Sequence, residues 1–195
     1  MNFLAHFHLA SLTQTSLTGA LIGDFVRGQQ HMALDETVRF GVMMHRKVDV
    51  FSDKMASVQQ LRQHFEQGQR RYIGIVTDML FDHLLSKHWH QFYPQPLPQY
   101  AQSVYQQLQS FAGTFSNYER VRVAMSEGNW LARYGTEQEI VHALSRISLR
   151  LKKSAPLATI GQQCLTHHYS LLEQALFEDY PQLQQQLQDW LSTAQ

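Results

Sequence analysis

Apolar residues recur along this chain at steps of three and four, the spacing that gathers them on one side of a helix. The pattern predicts helices near 2–11, 16–28, 35–51, 55–67, 69–92, 98–112, 118–133, 137–152, 156–178 and 181–193. Runs that alternate apolar and polar positions are rare, so no sheet of more than two short strands is expected. Between Tyr93 and Pro98 three prolines fall within five residues, which no helix can cross. Asp35 and Thr136 occupy N-cap positions, and Glu139, three residues after Thr136, completes a capping-box pattern. Pro156 and Pro181 stand where a first helical turn tolerates proline. Leu183, Leu187 and Leu191 keep a four-residue spacing through the Gln-rich C-terminal stretch, which therefore reads as an amphipathic helix. With no repeat and no linker, the expectation is an all-α, single-domain helical bundle over 1–195, the proline break separating two groups of helices.

Composition narrows the class. Of 195 residues, 44% are hydrophobic and 11% aromatic, which excludes a disordered chain. Lys+Arg and Asp+Glu both number 16, so the chain is neither a polycationic nucleic-acid coat nor an acidic tail protein. A single cysteine, Cys164, excludes an intrachain disulfide and a Cys-rich zinc site. No stretch approaches the roughly 20 apolar residues of a membrane span, and the N-terminus lacks the basic start of a signal peptide. The expectation is a soluble, cytoplasmic protein with no nucleic-acid or membrane partner; the sequence does not set an oligomeric state.

The chemistry lies in polar residues that interrupt apolar stripes. Ile75, Asp78, Asp82, Leu85 and Trp89 share one face of the fifth predicted helix, so two carboxylates lie one turn apart within it. An unpaired buried carboxylate costs several kcal/mol and two adjacent ones repel. A divalent cation between them removes both costs; buried arginine partners or a solvent-facing stripe would do so too. Asp24 continues a face of Leu17, Ala20 and Leu21, and His45 and Asp49 continue a face of Val38 and Val42. His6 shares a face with Phe3, Leu9 and Ala10. A lone histidine in such a place is more often packed than ligating. Four helices offering acid or imidazole toward a core point instead to one shared metal centre within residues 1–92, built as bundles build them. A set of His and carboxylate without thiolate suits Mn²⁺, Mg²⁺, Fe²⁺ or Zn²⁺. Trp130 and Tyr134 share a helical face and read as packing residues or as the lining of a pocket.

These residues carry a resemblance. NFLAHFHLA, GALIGDFVRG, MMHRKVDVFSD and RRYIGIVTDMLFDHLLSKHW resemble, in order and spacing, the blocks of acyl carrier protein phosphodiesterases, with a weaker echo at NWLARY and near HYSLLEQALFEDYP. The resemblance implies an all-helical fold related to the HD-domain phosphohydrolases and a divalent metal, typically Mn²⁺. It implies hydrolysis of the phosphodiester between 4′-phosphopantetheine and a serine of holo-acyl carrier protein, with that protein as the partner. On it, His6, Asp24, His45, Asp78 and Asp82 fall where metal ligands are expected. Asp82–His83 reverses the order of the usual HD doublet.

For that reaction a general acid must support the serine oxygen as it leaves, and His83 or Asp49 could serve. Arg27, Arg46 or Arg71 could hold a non-bridging phosphate oxygen, and a basic rim would steer an acidic carrier protein. Two other functions stay open: an HD-like phosphohydrolase acting on a nucleotide or small phosphoester, and a non-catalytic helical module that binds a partner. If Asp24 and Asp82 are ligands, changing either to Asn is expected to spare the metal-free fold.

Overall fold

The structure, a computed structural model, describes residues 1–111, 116–151 and 155–194. In chain order the helices are α1 (Phe3–Leu12), α2 (Leu17–Ile22), α3 (Glu36–Ser52), α4 (Ala56–Gln63), α5 (Gln67–Arg70), α6 (Ile73–Lys87), α7 (Trp89–Phe92), α8 (Leu97–Gln109), α9 (Ser116–Glu127), α10 (Trp130–Arg133), α11 (Glu137–Ser148), α12 (Leu157–His167) and α13 (Tyr169–Ala194). Among the described residues there is no strand, and no helix is long and apolar enough to cross a membrane. The all-α expectation holds.

Two helices lie at the centre because they are apolar almost all round. α1 buries Leu4, Ala5, Phe7, Leu9 and Ala10 completely, and α6 does the same with Ile73, Val76, Leu80 and Leu85. α1 rests on α2, α3 and α6, while α6 also meets α4, α11, α12 and α13. One continuous core results, and every polar side chain that α1 or α6 carries is forced either to find a partner inside it or to open onto a cleft.

Several boundaries differ from those predicted. The helix expected over 16–28 stops at Ile22, and the chain turns through Gly28 at φ +53°, a conformation that glycine adopts without strain. The helix expected over 118–133 is split at Gly128–Asn129, where Asn129 takes the left-handed region at φ +46°. The stretch 69–92 yields α5, α6 and α7, with α6 and α7 divided at His88. The helix expected over 156–178 is divided at His168 into α12 and α13, and α13 runs through Pro181 rather than a new helix starting there. A proline inside a helix costs about 3 kcal/mol, yet Leu172, Leu176, Tyr180, Leu183 and Leu187 form one buried stripe across it. Packing on both sides of the proline outweighs the lost bond.

Capping also departs from expectation. Thr136 precedes α11 but its hydroxyl donates back to the Arg133 carbonyl, and Glu139 pairs with the Arg133 guanidinium, so no capping box forms. Asp35 stands at the N-cap of α3 without a side-chain bond to it. Ser16 caps α2, accepting from the Gly19 N–H at 3.0 Å.

The crossing of α2 and α3 sets up the site. A Cβ on Gly19 would come within 2.4 Å of the Val38 carbonyl oxygen and 2.7 Å of Gly41 Cα, and one on Gly41 within 2.8 Å of the Ser16 carbonyl oxygen. Only a glycine pair lets the two backbones come so near.

Candidate metal centre

His45 is held from the α2 side. Its Nδ1 lies 2.7 Å from the Ala20 carbonyl oxygen, and the ring is buried. A Cβ on Gly23 would stand 2.3 Å from the ring. Gly19, Ala20, Gly23 and Asp24 of the GALIGD block thus act together: the first permits the crossing, the second orients the imidazole, the third leaves room for it and the fourth approaches its far nitrogen.

That far nitrogen meets two carboxylates. His45 Nε2 is 3.3 Å from Asp49 Oδ2, one turn on along α3, and 3.7 Å from Asp24 Oδ1. His6 enters from α1, its Nε2 3.2 Å from the other oxygen of Asp49. The two imidazoles stack, with centroids 3.9 Å apart and planes 12° from parallel. One donor atom each from His6, His45 and Asp49 lies within 4.8 Å of the others, the only such group of three or more His, Cys, Asp or Glu among the described residues.

Protonation decides what this group can hold. A carbonyl oxygen only accepts, so the proton on His45 Nδ1 is committed to Ala20. The neutral ring therefore turns the lone pair of Nε2 toward Asp49 and Asp24. Three acceptors then converge, and a positive charge must be among them: a proton on Nε2 or a cation between the groups. Burial opposes a charged His45, but the Asp49 hydrogen bond and the fields of Asp24 and Asp49 outweigh it and raise its pKa. His6 goes the other way. Burial and the neighbouring His45 lower it to about 3 against the pull of Asp49, so it stays neutral: its Nε2–H donates to Asp49, and with the proton moved to Nδ1 the same Nε2 can ligate an ion. Its Nδ1 is buried without a partner among the described residues. Burial would raise Asp49, yet its bonds to both histidines hold it well below the usual carboxylate range. Two neutral-capable imidazoles and a committed carboxylate fit a divalent first-row metal ion. The carbonyl behind His45 is the kind of outer contact that fixes a ligating tautomer.

The other acids named from the sequence sit differently. Asp82 is fully buried and accepts the N–H groups of Leu4 at 2.7 Å and Ala5 at 3.0 Å, one on each oxygen. It thereby caps the first turn of α1 from α6, satisfying donors that a helix start leaves unpaired. Burial still pushes its carboxyl up to about 7 against those two bonds. Asp78 lies 2.6 Å from the α-amino nitrogen of Met1, which also reaches Ser52. Burial raises Asp78, and the ammonium opposes this. The stripe that holds Asp78 and Asp82 pairs with the start of α1 rather than with arginine, Asp82 wholly enclosed and Asp78 partly exposed. Neither acid joins the group of His6, His45 and Asp49, whereas Asp24 does come to its edge.

Of the two groups named for proton transfer, Asp49 stands at the centre of the cluster. His83 points away: its Nδ1 is 2.8 Å from the Tyr134 carbonyl oxygen, and its Nε2 is buried without a partner among the described residues. The three arginines do not converge either. Arg46 donates to the Val26 and Gly28 carbonyls and holds the loop after α2. Arg27 is exposed, and Arg71 lies over the Tyr72 ring. What the sequence reading missed is a cleft lined by Asn2, Phe3, Met79, Trp130 and one face of α11. Trp130 and Tyr134 were the legible hint.

Comparison with known proteins bears on this arrangement. A family model described as acyl carrier protein phosphodiesterase matches residues 1–183. The chain is similar to proteins named acyl carrier protein phosphodiesterase from several bacteria. The one from Pectobacterium atrosepticum is 35% identical over 95% of this chain and 96% of its own length. That from Yersinia pestis is 36% identical over 96% and 98%, and one from Escherichia coli 32% identical over 95% and 97%. No solved structure matches.

Proposed function

The chain belongs to the acyl carrier protein phosphodiesterase family, and from that premise we propose that it is a metal-dependent hydrolase of holo-acyl carrier protein. The reaction is addition of water across the phosphodiester that joins 4′-phosphopantetheine to a serine of the carrier. The products are apo carrier protein and free 4′-phosphopantetheine.

One observation carries the metal part of this reading: His45 Nε2, with its tautomer set by Ala20, faces Asp49 at 3.3 Å while His6 approaches the same carboxylate at 3.2 Å. His6, His45 and Asp49 would hold the ion, and Mn²⁺ is the ion we propose for this nitrogen and oxygen set. Such an ion supplies charge neutralisation at a phosphate oxygen and a bound water of lowered pKa. The protein residues do the rest. Asp24 is half exposed beside His45, and burial together with the Asp49 charge raises it above an ordinary carboxylate. A stronger carboxylate base on the open side of the cluster is placed to take the proton of the attacking water. Asp82 keeps α1 seated, and with it His6. Asp78 lies close enough to Asp49 to feel its charge.

The deciding experiment incubates holo-acyl carrier protein with the enzyme and Mn²⁺ and weighs the carrier. Loss of the mass of 4′-phosphopantetheine is expected, and chelator or His45→Gln should abolish it. An unchanged carrier mass with metal-loaded wild-type enzyme would refute the proposed reaction.

A further inference from the structure

The cleft between α1, α10 and α11 has no role in the chemistry so far described. It encloses about 190 Å³. That is below the roughly 300–1,000 Å³ of sites that enclose a compact drug-sized ligand, and it suits a slender chain better than a base and sugar. Phe3, Met79, Trp130 and Ile147 wall it, and Asn2 places an amide among them. Arg146 and Arg150 stand at its edge, both exposed and neither ion-paired among the described residues. Along α11 the lining runs from Glu139 to Ile147, ~12 Å at the helical rise.

α1 ties the cleft to the metal centre: Phe3, in the cleft wall, lies one turn before His6 on the same face of the helix. Within the cleft the Asn2 amide donates to the Tyr134 hydroxyl and contacts the Met79 sulfur. A chain that leaves the metal centre past Phe3 would follow α1 to this cleft.

Resting on the proposed function, we infer that the cleft between α1, α10 and α11 binds the pantetheine arm of the substrate and sets recognition of that arm. The arm is an unbranched run of methylenes and amides beyond one gem-dimethyl group. Apolar walls with a few amide and hydroxyl partners match that alternation. The arginine stems extend the apolar wall while their guanidinium groups stay at the mouth. There they face the acidic protein that carries the arm, where opposite charge speeds encounter.

The test uses pantetheine itself as a probe, titrated into the full chain in chelator while tryptophan emission is followed. A saturable change is expected, and Trp130→Phe should remove it. Ala143→Phe, which adds a ring to the lining, should abolish pantetheine binding while calorimetry shows Mn²⁺ binding unchanged. With holo carrier protein it should raise KM on the order of tenfold and leave kcat within about threefold, the signature of lost binding common to ground and transition states. If wild type releases no 4′-phosphopantetheine yet binds pantetheine at this cleft, the reaction is wrong and the cleft assignment stands. If wild type turns over but shows no pantetheine binding, or if Ala143→Phe binds and turns over like wild type, the cleft assignment is overturned.

Discussion

The imidazole rings of His6 and His45 stack at 3.9 Å, and their Nε2 atoms reach opposite oxygens of one carboxylate, Asp49. Two protonated imidazoles could not be held so close, and burial together with His45 keeps His6 neutral. The pair therefore shares at most one positive charge with Asp49 unless a cation is bound. Metal affinity should thus depend on all three residues together. Single changes His6→Gln, His45→Gln and Asp49→Asn are each expected to lower Mn²⁺ affinity by about 10-fold or more, and the double change of both histidines to abolish measurable binding. Calorimetry on chelator-treated protein reads this directly; a His6/His45 double variant that binds Mn²⁺ like wild type would place the ion elsewhere.

Gly23→Ala tests the same centre without touching a donor atom. Its methyl would stand 2.3 Å from the His45 ring, nearer than any real contact, so the ring must move. Gly23 follows the last residue of α2 with right-handed helical dihedrals that alanine adopts freely, so the expected outcome is a folded protein with an unchanged helical spectrum and little metal binding. Gly19→Ala is different in kind. There the obstacle is the Val38 carbonyl at 2.4 Å, which is backbone, so the helices themselves must part and thermal stability should fall by about 1–3 kcal/mol.

Asp24 and Asp82 separate a site acid from a structural one. Asp82 accepts two N–H groups at the start of α1, and Asn would keep one acceptor and turn an NH₂ toward the other donor. Leaving one buried donor unpaired costs about 1–3 kcal/mol, so Asp82→Asn should melt lower in chelator. Asp24→Asn should melt within about 0.5 kcal/mol of wild type, because that side chain is half exposed and bonds no backbone group. It should also retain most Mn²⁺ binding while losing turnover, as expected of a base rather than a ligand. Equal melting of the two variants would show that the cap contributes nothing.

Much of this was readable along the chain, and the reasons for the remainder are physical. Helical periodicity reveals which faces are buried, so α1, α3 and α6 and the burial of His6, His45 and Asp82 are legible, while Asp49 and Asp78 on the same stripes stay partly exposed. It cannot say what an inward acid meets. Asp82 meets the open N–H groups of another helix, 77 and 78 residues away, and a repulsive pair on one stripe looks the same whether a metal or a helix end relieves it. Periodicity pairs Asp49 with His45 on α3, but its second partner, His6, comes from α1, and only that contact makes it the centre of the group. Pro181 misled because a local rule about proline was opposed by a stripe of buried residues extending well to both sides. The cleft beside α11 joins residues from the first and last thirds of the chain, and only Trp130 and Tyr134 hinted at it.

His45 has its folded pKa raised above the unfolded value of 6.5. The charged ring is thus favoured by the fold, and that stabilisation is present below pH 6.5 and lost as pH rises through the folded value. Asp82 acts in the same direction: its folded pKa of about 7 lies above the unfolded 3.8, so the fold loses stability from this group as pH rises between the two. His6, lowered to about 3, works oppositely, but only below 6.5, where the unfolded ring gains a proton that the folded ring refuses. From pH 6.5 to 8 the first two effects stand unopposed by the third. Metal-free protein should therefore melt at progressively lower temperature across that interval, and His45→Gln should flatten the part above pH 7. Bound metal should reverse the trend, because the ion needs the neutral ring and displaces its proton. Calorimetric titrations with Mn²⁺ at pH 6.5 in two buffers of different ionisation heat should then register proton release, which His45→Gln removes. Proton release that survives in His45→Gln would mean that the ion displaces its proton from another group, and the tautomer fixed by Ala20 would lose its part in the site.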